Sequence, residues 1–265
     1  MRVALAITSH ERPEALAAVL DSVARQRQAP DEVIIADDGS GAATLAVIAC
    51  FRGADHTRVQ LVSQPHQGFR AARLRNLAIA ACTAEYLVFI DGDMLLHPEF
   101  IADHARHARR GRFTQGVRVQ ASADLTRRLL GAPAGFPTVL SRGAGLLRRA
   151  YLVHAPALAS LCRGPGNHLL AVKSCNQGFW RDDLLRVNGF DEAFVGWGPE
   201  DKELCARLEN AGARRQTLLF GGIACHLHHA PASRERLAAN LALLERTHRE
   251  RRVRCEQGVD AHLRP

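Results

Sequence analysis

Short apolar runs alternate with segments of helical spacing along the first third of the chain. The apolar runs predict four buried strands, at Val3–Ile7, Glu32–Ala36, Val59–Val62 and Tyr86–Ile90. Between them, apolar residues three and four apart predict three helices, at Pro13–Gln26, Gly41–Phe51 and Phe69–Cys82. Strands that alternate with helices of this length are typical of parallel sheets, because each helix carries the chain back to the same edge. The sequence therefore predicts an α/β fold with a mostly parallel central sheet flanked by helices.

The rest of the chain is divided by the regularity of its pattern. We expect a single domain built from four parts, at 1–103, 104–173, 174–232 and 233–265. The second part lacks clear periodicity and is interpreted as a basic inserted lobe. In the third part, the pattern predicts helices at Asp182–Val187 and Glu200–Ala211 and a strand at Arg214–Leu219. The fourth part is predicted to be a basic C-terminal helix, Ser233–Arg254, and a tail.

Basic residues are concentrated in one segment. The chain has a formal charge of +8, and Arg106–Arg149 contains ten arginines and one acidic residue, Asp124. Such a segment suits an anionic membrane surface or an acidic acceptor. All but two of the 35 basic residues of the chain are arginine, so a compositional bias also accounts for it. Nucleic acid is disfavoured as a partner, because only Phe113, Phe136 and Tyr151 offer aromatic rings in or beside the segment.

The cysteines and the apolar runs bear on where the protein works. Seven cysteines are scattered without a C-x-x-C pair, which is typical of reduced thiols rather than of a disulfide framework or a zinc site. No apolar run approaches the roughly 18 residues of a membrane span, and the opening apolar stretch is too short for a signal peptide. We expect a cytoplasmic protein, with peripheral contact at the inner face of the membrane if the basic segment docks there.

Three of the predicted strands end in polar clusters. Thr8–Arg12 follows the first strand, Asp37–Ser40 the second and Asp91–Asp93 the fourth. In open α/β sheets the carboxyl ends of the strands border the ligand crevice, so the three clusters together predict a nucleotide site. Each cluster alone also fits an ordinary turn. In the last one, Gly92 allows a sharp turn between two carboxylates, and hard oxygen ligands of this kind suit Mg²⁺ or Mn²⁺.

Two further groups are candidates for the same site. Arginines at the start of the third helix, including Arg70 and Arg75, could reach a diphosphate, or they could lie on a solvated helix face. The turn Gly196–Pro199 delivers Glu200 and Asp201 to the first turn of a helix. The helix dipole stabilises carboxylates there, and one of them could act as a general base towards a hydroxyl group.

Three histidines lie within four residues, at His226, His228 and His229. On a strand His226 and His228 would share a face, whereas on a turn His226 and His229 could. Imidazole combined with carboxylate favours Mn²⁺ over Mg²⁺. A dedicated zinc site is the alternative, but no cysteine has suitable spacing around these histidines.

Taken in order, these motifs resemble an inverting GT-A glycosyltransferase of the family-two type. The C-terminal part is similar to the galactosyltransferase-like domain of chondroitin-polymerase-type enzymes. The motifs are Ile7–Arg12, Val33–Ser40, Gly68–Asn76, Phe89–Met94, Ser174–Arg181, Val187–Asp201 and His226–His229. They cover most of 1–100 and 174–230, whereas 104–170 matches no motif. The resemblance implies a GT-A, Rossmann-like fold, with the nucleotide sugar held by 1–103 and acceptor identity set by the lobe.

The resemblance also implies a role for individual residues. Contacts with the donor nucleotide are implied for Thr8, His10, Arg12, Asp37, Asp38, Arg70, Arg75, Asp91 and Gly92. Contacts with the acceptor are implied for Asn176, Trp197, Gly198 and Glu200, and Asp201 is implied as the catalytic base. Mn²⁺, or else Mg²⁺, is expected on Asp93 and His226, with Asp91 and His229 as weaker ligands. The chain departs from the pattern at His10, where an aromatic residue or asparagine is common, and at Pro199, where some relatives have glycine.

The expected activity is the transfer of a hexose or N-acetylhexosamine from a UDP-sugar to a saccharide or a lipid-linked saccharide. Assembly of bacterial surface polysaccharide or lipopolysaccharide is the expected setting. A sugar-nucleotide pyrophosphorylase is disfavoured, because Thr8–Arg12 has neither the glycines nor the lysine of their activating loop. A catalytically silent nucleotide-sugar-binding protein is the remaining alternative, although the acids and histidines that chemistry needs are all present.

Overall fold

A seven-stranded sheet runs through the structure, a computed structural model that describes residues 1–131, 135–144, 146–161, 172–231 and 233–263. The strands are β1 (Val3–Ser9), β2 (Glu32–Asp37), β3 (Arg58–Ser63), β4 (Tyr86–Asp91), β5 (Met94–Leu96), β6 (Arg112–Gly116), β7 (Arg118–Gln120), β8 (Gln177–Trp180), β9 (Arg214–Leu218) and β10 (Ala224–His226). The helices are α1 (Pro13–Ala24), α2 (Ala42–Cys50), α3 (Ala71–Ala81), α4 (Phe100–His107), α5 (Ala123–Gly131), α6 (Pro156–Leu161), α7 (Arg181–Arg186), α8 (Glu200–Asn210) and α9 (Leu237–Glu250). Short 3-10 helices cover Leu146–Leu152, Ser174–Asn176 and Val259–His262.

The large sheet has the strand order β3-β2-β1-β4-β8-β6-β9. Strands β3, β2, β1 and β4 are parallel, β6 and β9 are parallel to each other, and β8 runs antiparallel to both of its neighbours. The predicted α/β fold with a mostly parallel sheet is therefore confirmed. The parallel register brings the carboxyl ends of β1, β2 and β4 to one edge, where Ser9 pairs with Asp37 and Thr8 with Asp91.

A second, three-stranded sheet has the order β5-β10-β7. Its strands are three residues long, which is too short for a readable alternating pattern. Strand β10 lies antiparallel to β5, and the pair His226 and Met94 closes that ladder. Because Met94 directly follows Asp93 in the chain, this small sheet places the histidine motif beside the acidic turn.

The core lies on both faces of the large sheet. Alternate residues of β1 point to opposite faces, with Leu5 and Ile7 packed towards α1 and Ala4 and Ala6 packed towards α3. Alanine on the second face leaves room for close packing of α3, while larger side chains from α8 complete that layer. Strands buried on both faces read as continuous apolar runs, and this is why the first strands could be predicted from the sequence.

The structure corrects two boundaries. The segment 104–173 was predicted to be an inserted lobe, yet β6 lies inside the large sheet and β7 inside the small one, so its first part belongs to the core. Residues 132–134, 145 and 162–171 of that segment lie outside the described residues. The C-terminal helix was predicted over Ser233–Arg254 and is shorter, Leu237–Glu250. None of the helices among the described residues has the length and apolar character needed to cross a bilayer.

Candidate functional site

The turn between β4 and β5 makes unusually close contact with β1. The Gly92 backbone N–H donates to the Thr8 carbonyl oxygen at 2.7 Å. A Cβ atom at position 92 would lie 2.9 Å from that same oxygen, so a larger residue would push the strands apart. Glycine at this position therefore holds the two flanking carboxylates, Asp91 and Asp93, at the sheet edge.

The two carboxylates of this turn have different partners. Asp91 Oδ1 accepts a hydrogen bond from Thr8 Oγ1 at 3.1 Å and lies 3.4 Å from Arg75 NH2. Asp93 faces the histidines of the β10 end instead, with His226 Nε2 3.6 Å from its Oδ1 and His229 Nε2 3.4 Å from its Oδ2. Asp91 thus belongs to an arginine network and Asp93 to a cluster of imidazoles.

Arg75 is a buried cation at the centre of the first network. Its NH1 donates to Glu200 Oε1 at 2.7 Å, and its NH2 donates to Ser174 Oγ at 3.0 Å. The side chain of Arg75 is 4% exposed and that of Glu200 8% exposed. Burial raises the pKa of Glu200, and the Arg75 charge opposes that rise. One guanidinium therefore joins Asp91 on the β4 end to Glu200 at the start of α8.

Asp201 is held next to this network by backbone groups. Its Oδ2 accepts the Ser174 N–H at 2.8 Å, and its Oδ1 accepts the Lys202 N–H at 2.7 Å. Burial raises the pKa of Asp201, opposed by the Arg75 charge and by the two backbone hydrogen bonds. Ser174 touches both Arg75 and Asp201, so the 3-10 helix Ser174–Asn176 positions both.

Asp93, His226 and His229 form a group that could hold a metal ion, since one ligand atom from each lies within 4.8 Å of the others. Asp93 Oδ1 is buried and makes no hydrogen bond within the part of the chain that the structure describes. Burial, followed by the nearby Asp91 charge, raises the pKa of Asp93, and burial lowers the pKa of His226. A buried oxygen without a donor, beside two imidazoles, fits a divalent cation.

The histidine motif adopts the turn alternative. Strand β10 ends at His226, and the rings of His226 and His229 lie 5.0 Å apart beside Asp93. The backbone N–H of His228 donates to Thr126 Oγ1 at 2.8 Å instead. Asp91 is not a member of the metal-type group that the described residues form, and its contacts with Thr8 and Arg75 explain why.

Arg12 lies at the same group rather than at the ends of β1 and β2. Its NH1 lies 2.5 Å from Asp93 Oδ2, and its NH2 lies 3.3 Å from the His228 carbonyl oxygen. The positive charge of Arg12 balances a carboxylate that would otherwise be buried without a partner. Arg12 is therefore placed next to the candidate metal group.

Asp37 and Asp38 have separate tasks at the end of β2. Asp37 is 1% exposed, and both of its oxygens accept hydrogen bonds from Ser40, at 2.8 Å from the backbone N–H and 2.6 Å from Oγ. Asp37 thus stabilises the turn. Asp38 accepts from Gln64 Nε2 at 2.6 Å and from the His66 ring at 2.9 Å, so it is the acid of this pair that faces other side chains.

His10 and Arg70 border the same end of the sheet. His10 Nδ1 lies 2.9 Å from the Asp38 carbonyl oxygen, and its ring stacks on that of His66 at 4.2 Å. Arg70 NH2 donates to the Pro65 carbonyl oxygen at 2.9 Å, while its Nε is buried and has no partner among the described residues. Arg70 is thus attached to the loop before α3 rather than to the Arg75 network.

The loop that carries Trp197 is fastened by α9. Asn240, which is 1% exposed, donates from Nδ2 to the carbonyl oxygens of Val195 and Trp197, each at 3.1 Å. A Cβ atom at Gly198 would lie 2.4 Å from Asn240 Nδ2, so glycine is required for this contact. The Trp197 ring is 38% exposed, and the Arg234 guanidinium lies 5.0 Å from its centroid. The loop, held in place by α9, thus presents the partly exposed ring of Trp197 just before α8.

Asn176 does not reach an open surface. Its side chain is 1% exposed, its Oδ1 lies 2.9 Å from His104 Nε2, and its Nδ2 donates to the carbonyl oxygens of Val117 and Gly222. Every polar atom of this amide is engaged inside the protein. The predicted acceptor contact is corrected to a positioning role for the 3-10 helix, because the side chain has no free donor or acceptor.

Several contributors to the site were not predicted from the sequence. Ser174 lies within a recognised motif but was assigned no role, and Asn240 is one of several polar residues on α9. His66 and Gln64 lie in a loop without any periodicity. Position alone gives no signal for these residues, since their roles come from side-chain contacts between distant segments.

Residues 5–152 match the family described as Glycosyl transferase family 2, and this matched segment makes up more than half of the chain. Residues 165–230 match the family described as N-terminal domain of galactosyltransferase. The two matched segments contain every residue placed above except Arg234 and Asn240.

Individual relatives agree with these matches. The chain is 29% identical over 233 residues to validoxylamine A glucosyltransferase of Streptomyces hygroscopicus subsp. limoneus, covering 79% of this chain and 48% of the relative. It is 23% identical over 247 residues to hyaluronan synthase of Pasteurella multocida, covering 88% of this chain and 25% of the relative. The chain thus spans about half the length of the first relative and a quarter of the second.

A solved structure shares the fold. S. aureus TarS 1-349 in complex with UDP superimposes with a TM-score of 0.65 and 15% sequence identity, covering 92% of this chain and 64% of that chain. At this level of identity the likeness concerns the fold alone.

Proposed function

Because this chain belongs to glycosyl transferase family 2, we propose that it is a metal-dependent inverting glycosyltransferase. The proposed donor is a UDP-sugar that carries a hexose or N-acetylhexosamine, and the proposed acceptor is a saccharide, free or lipid-linked. The chain spans about half the length of its first relative. The activity of the whole protein is therefore also proposed and does not follow from the family match alone.

The observation that carries the proposal is the position of Arg75. Its buried guanidinium contacts Asp91, on the strand edge proposed for the donor, and Glu200, at the helix start proposed for the acceptor. Ser174 extends the same network to Asp201. A binding protein for nucleotide sugars alone has no need of a carboxylate held next to the donor edge, whereas a transferase needs a base there.

Asp201 is the proposed catalytic base. A carboxylate with a raised pKa accepts a proton more readily than an ordinary aspartate, and burial raises the pKa of Asp201. The backbone N–H groups of Ser174 and Lys202 fix the orientation of its oxygens. In a single in-line displacement, Asp201 would take the proton of the acceptor hydroxyl, and the configuration at the anomeric carbon would invert.

The donor side provides charge for the leaving diphosphate. Asp93, His226 and His229 would hold the divalent ion, which when bound supplies positive charge to the phosphate oxygens. Arg12 lies against Asp93 and would add a fixed positive charge. Asp38 is the proposed contact for the nucleobase, and Asp91 for the ribose.

The acceptor side is formed by the loop before α8. The half-open ring of Trp197 would stack on a sugar, since aromatic faces suit the apolar face of a pyranose. Asn240 and Gly198 hold this loop against α9. The proposed setting is the synthesis of bacterial surface polysaccharide or lipopolysaccharide at the cytoplasmic side of the membrane. The basic segment Arg106–Arg149 would make the peripheral contact with the membrane.

Donor screening tests the proposal. The protein is incubated with UDP-, GDP- and dTDP-sugars in the presence of Mn²⁺, and thermal stabilisation and slow donor hydrolysis are measured. We expect stabilisation and hydrolysis with at least one UDP-sugar, both lost when the metal is chelated. Stabilisation without either donor hydrolysis or sugar transfer to a saccharide would favour the silent binding protein. Failure of every nucleotide sugar to bind with any divalent metal would contradict the proposal.

A further inference from the structure

A second cluster of metal-type ligands lies at the end of β2, apart from the Asp93 group. One ligand atom from each of His10, Asp38 and His66 lies within 4.8 Å of the others. The two imidazole rings are nearly parallel, at 13°, with centroids 4.2 Å apart. Asp38 is buried at 6% exposure, whereas both histidines are exposed. The cluster thus opens to solvent on its imidazole side.

One hydrogen bond of the cluster fixes the tautomer of His10. A carbonyl oxygen can only accept, so His10 Nδ1 must donate to the Asp38 carbonyl oxygen, at 2.9 Å. The lone pair of a neutral His10 is then on Nε2. A backbone hydrogen bond of this kind orients many metal-bound histidines. His66 Nδ1 lies 2.9 Å from Asp38 Oδ2, so these two atoms are close enough to be neighbouring ligands of one ion.

The carboxylate of the cluster is oriented from behind. Gln64 Nε2 donates to Asp38 Oδ1 at 2.6 Å, and Arg73 NH1 donates to Gln64 Oε1 at 2.8 Å. The backbone around His66 is also close to the β2 turn, since a Cβ atom at Gly39 would lie 2.5 Å from the His66 nitrogen. Asp38 Oδ2 is thereby directed towards His66 before any ligand arrives.

We propose that His10, Asp38 and His66 form a second metal site, for a borderline ion of the Zn²⁺ class. Two imidazoles and one carboxylate are ligands that this class of ion prefers, while a hard ion such as Mg²⁺ prefers oxygen alone. The proposed site uses the open side of the cluster for water or another ligand. Binding requires a free lone pair on one ring nitrogen of each histidine, and His10 offers Nε2 while its Nδ1 donates to the Asp38 carbonyl oxygen.

The site has a consequence for the donor, and this part rests on the proposed function. Asp38 is the proposed contact for the nucleobase, so an ion on Asp38 and a base on Asp38 exclude each other. Zn²⁺ would then be an inhibitor that competes with the nucleotide, in contrast to the ion on Asp93, which would assist it. His66 is the residue that separates the two roles, because it is assigned no contact with the donor.

Zinc titration of the purified protein tests the site itself. Bound Zn²⁺ per chain is measured by calorimetry for the parent protein, for His66→Ala and for the control His56→Ala, an exposed histidine outside both clusters. We expect the count to fall by one in His66→Ala, or the affinity of one site to fall by at least about tenfold, with no change in His56→Ala. An unchanged titration in His66→Ala would overturn the proposal. Circular dichroism checks that both variants are folded.

Nucleotide binding tests the competition separately. The affinity for UDP is measured at saturating Mn²⁺ with and without Zn²⁺, and each variant is compared with itself. We expect Zn²⁺ to weaken UDP binding in the parent protein and in His56→Ala, and to have little effect in His66→Ala. Loss of the zinc site without any change in the zinc effect on UDP would overturn the competition. If UDP fails to bind without zinc, the proposed function fails, while the titration still decides the metal site.

Discussion

Replacing Arg75 with methionine removes the buried cation that joins the two halves of the proposed site. The side chains of Arg75 and Glu200 are 4% and 8% exposed and form a 2.7 Å ion pair, so Arg75→Met leaves Glu200 buried without a partner. Breaking a buried ion pair in this way costs about 3–5 kcal/mol of unfolding free energy. Losing the contact between Arg75 and Asp91 adds little to this cost, because the Asp91 side chain is 32% exposed and water screens its charge. Urea unfolding followed by tryptophan fluorescence measures the cost.

The double variant Arg75→Met with Glu200→Gln is the matched control. It removes both charges, so we expect it to recover about 2 kcal/mol or more of the loss.

The stability deficit of Arg75→Met should also depend on pH. Burial raises the folded-state pKa of Glu200 above its unfolded value, so its burial penalty is absent at low pH and grows as pH rises. The deficit of Arg75→Met should therefore be smaller near about pH 5 than near about pH 8. A deficit below about 1 kcal/mol, or no recovery in the double variant, would refute the role of this buried pair.

Three further predictions concern the metal group, the acceptor loop and the 3-10 helix. Asp93→Asn should abolish tight Mn²⁺ binding measured by calorimetry. Burial raises the pKa of Asp93, so the Mn²⁺ affinity of the parent protein should fall as decreasing pH protonates this carboxylate; unaltered Mn²⁺ binding by Asp93→Asn would exclude this group. Asn240→Ala frees the carbonyl oxygens of the Trp197 loop, so the KM for the acceptor should rise several-fold while UDP affinity stays constant; an equal loss of both would argue against a loop-specific effect. Asn176→Ala removes three buried hydrogen bonds and should lower the unfolding free energy by about 2 kcal/mol or more in urea; a neutral effect would show that the amide is dispensable.

Much of the fold could be predicted because the central strands are buried on both faces. Strands such as β1 and β4 read as continuous apolar runs, and the helices between them keep their spacing. The family resemblance that followed from the strand-end motifs is confirmed by the match of 5–152. The small sheet was missed, because three-residue strands carry too little pattern. The positions of β6 and β7 inside the two sheets were not predicted either, since both strands are short and polar.

The chemistry of the site was easier to predict than its contacts. The sequence predicted metal ligands among the carboxylates beside Gly92 and the histidines of the 226–229 motif, and Asp93, His226 and His229 do form a group that could hold an ion. The sequence could not show that Arg12 reaches Asp93 rather than the β2 end, or that Arg75 is neutralised by Glu200. Those contacts depend on side-chain direction and on segments more than 80 residues apart in the chain.

If Asp201 is the base in sugar transfer, Asp201→Asn removes the one group proposed to take the proton of the acceptor hydroxyl. Asparagine keeps the size of the side chain and an oxygen that can accept the Ser174 N–H, but it cannot take a proton. With the UDP-sugar that the donor screen identifies, we expect the turnover rate to fall by about a hundredfold or more while the affinity for UDP and Mn²⁺ remains that of the parent. Full turnover by Asp201→Asn, with donor binding intact, would exclude Asp201 as the base.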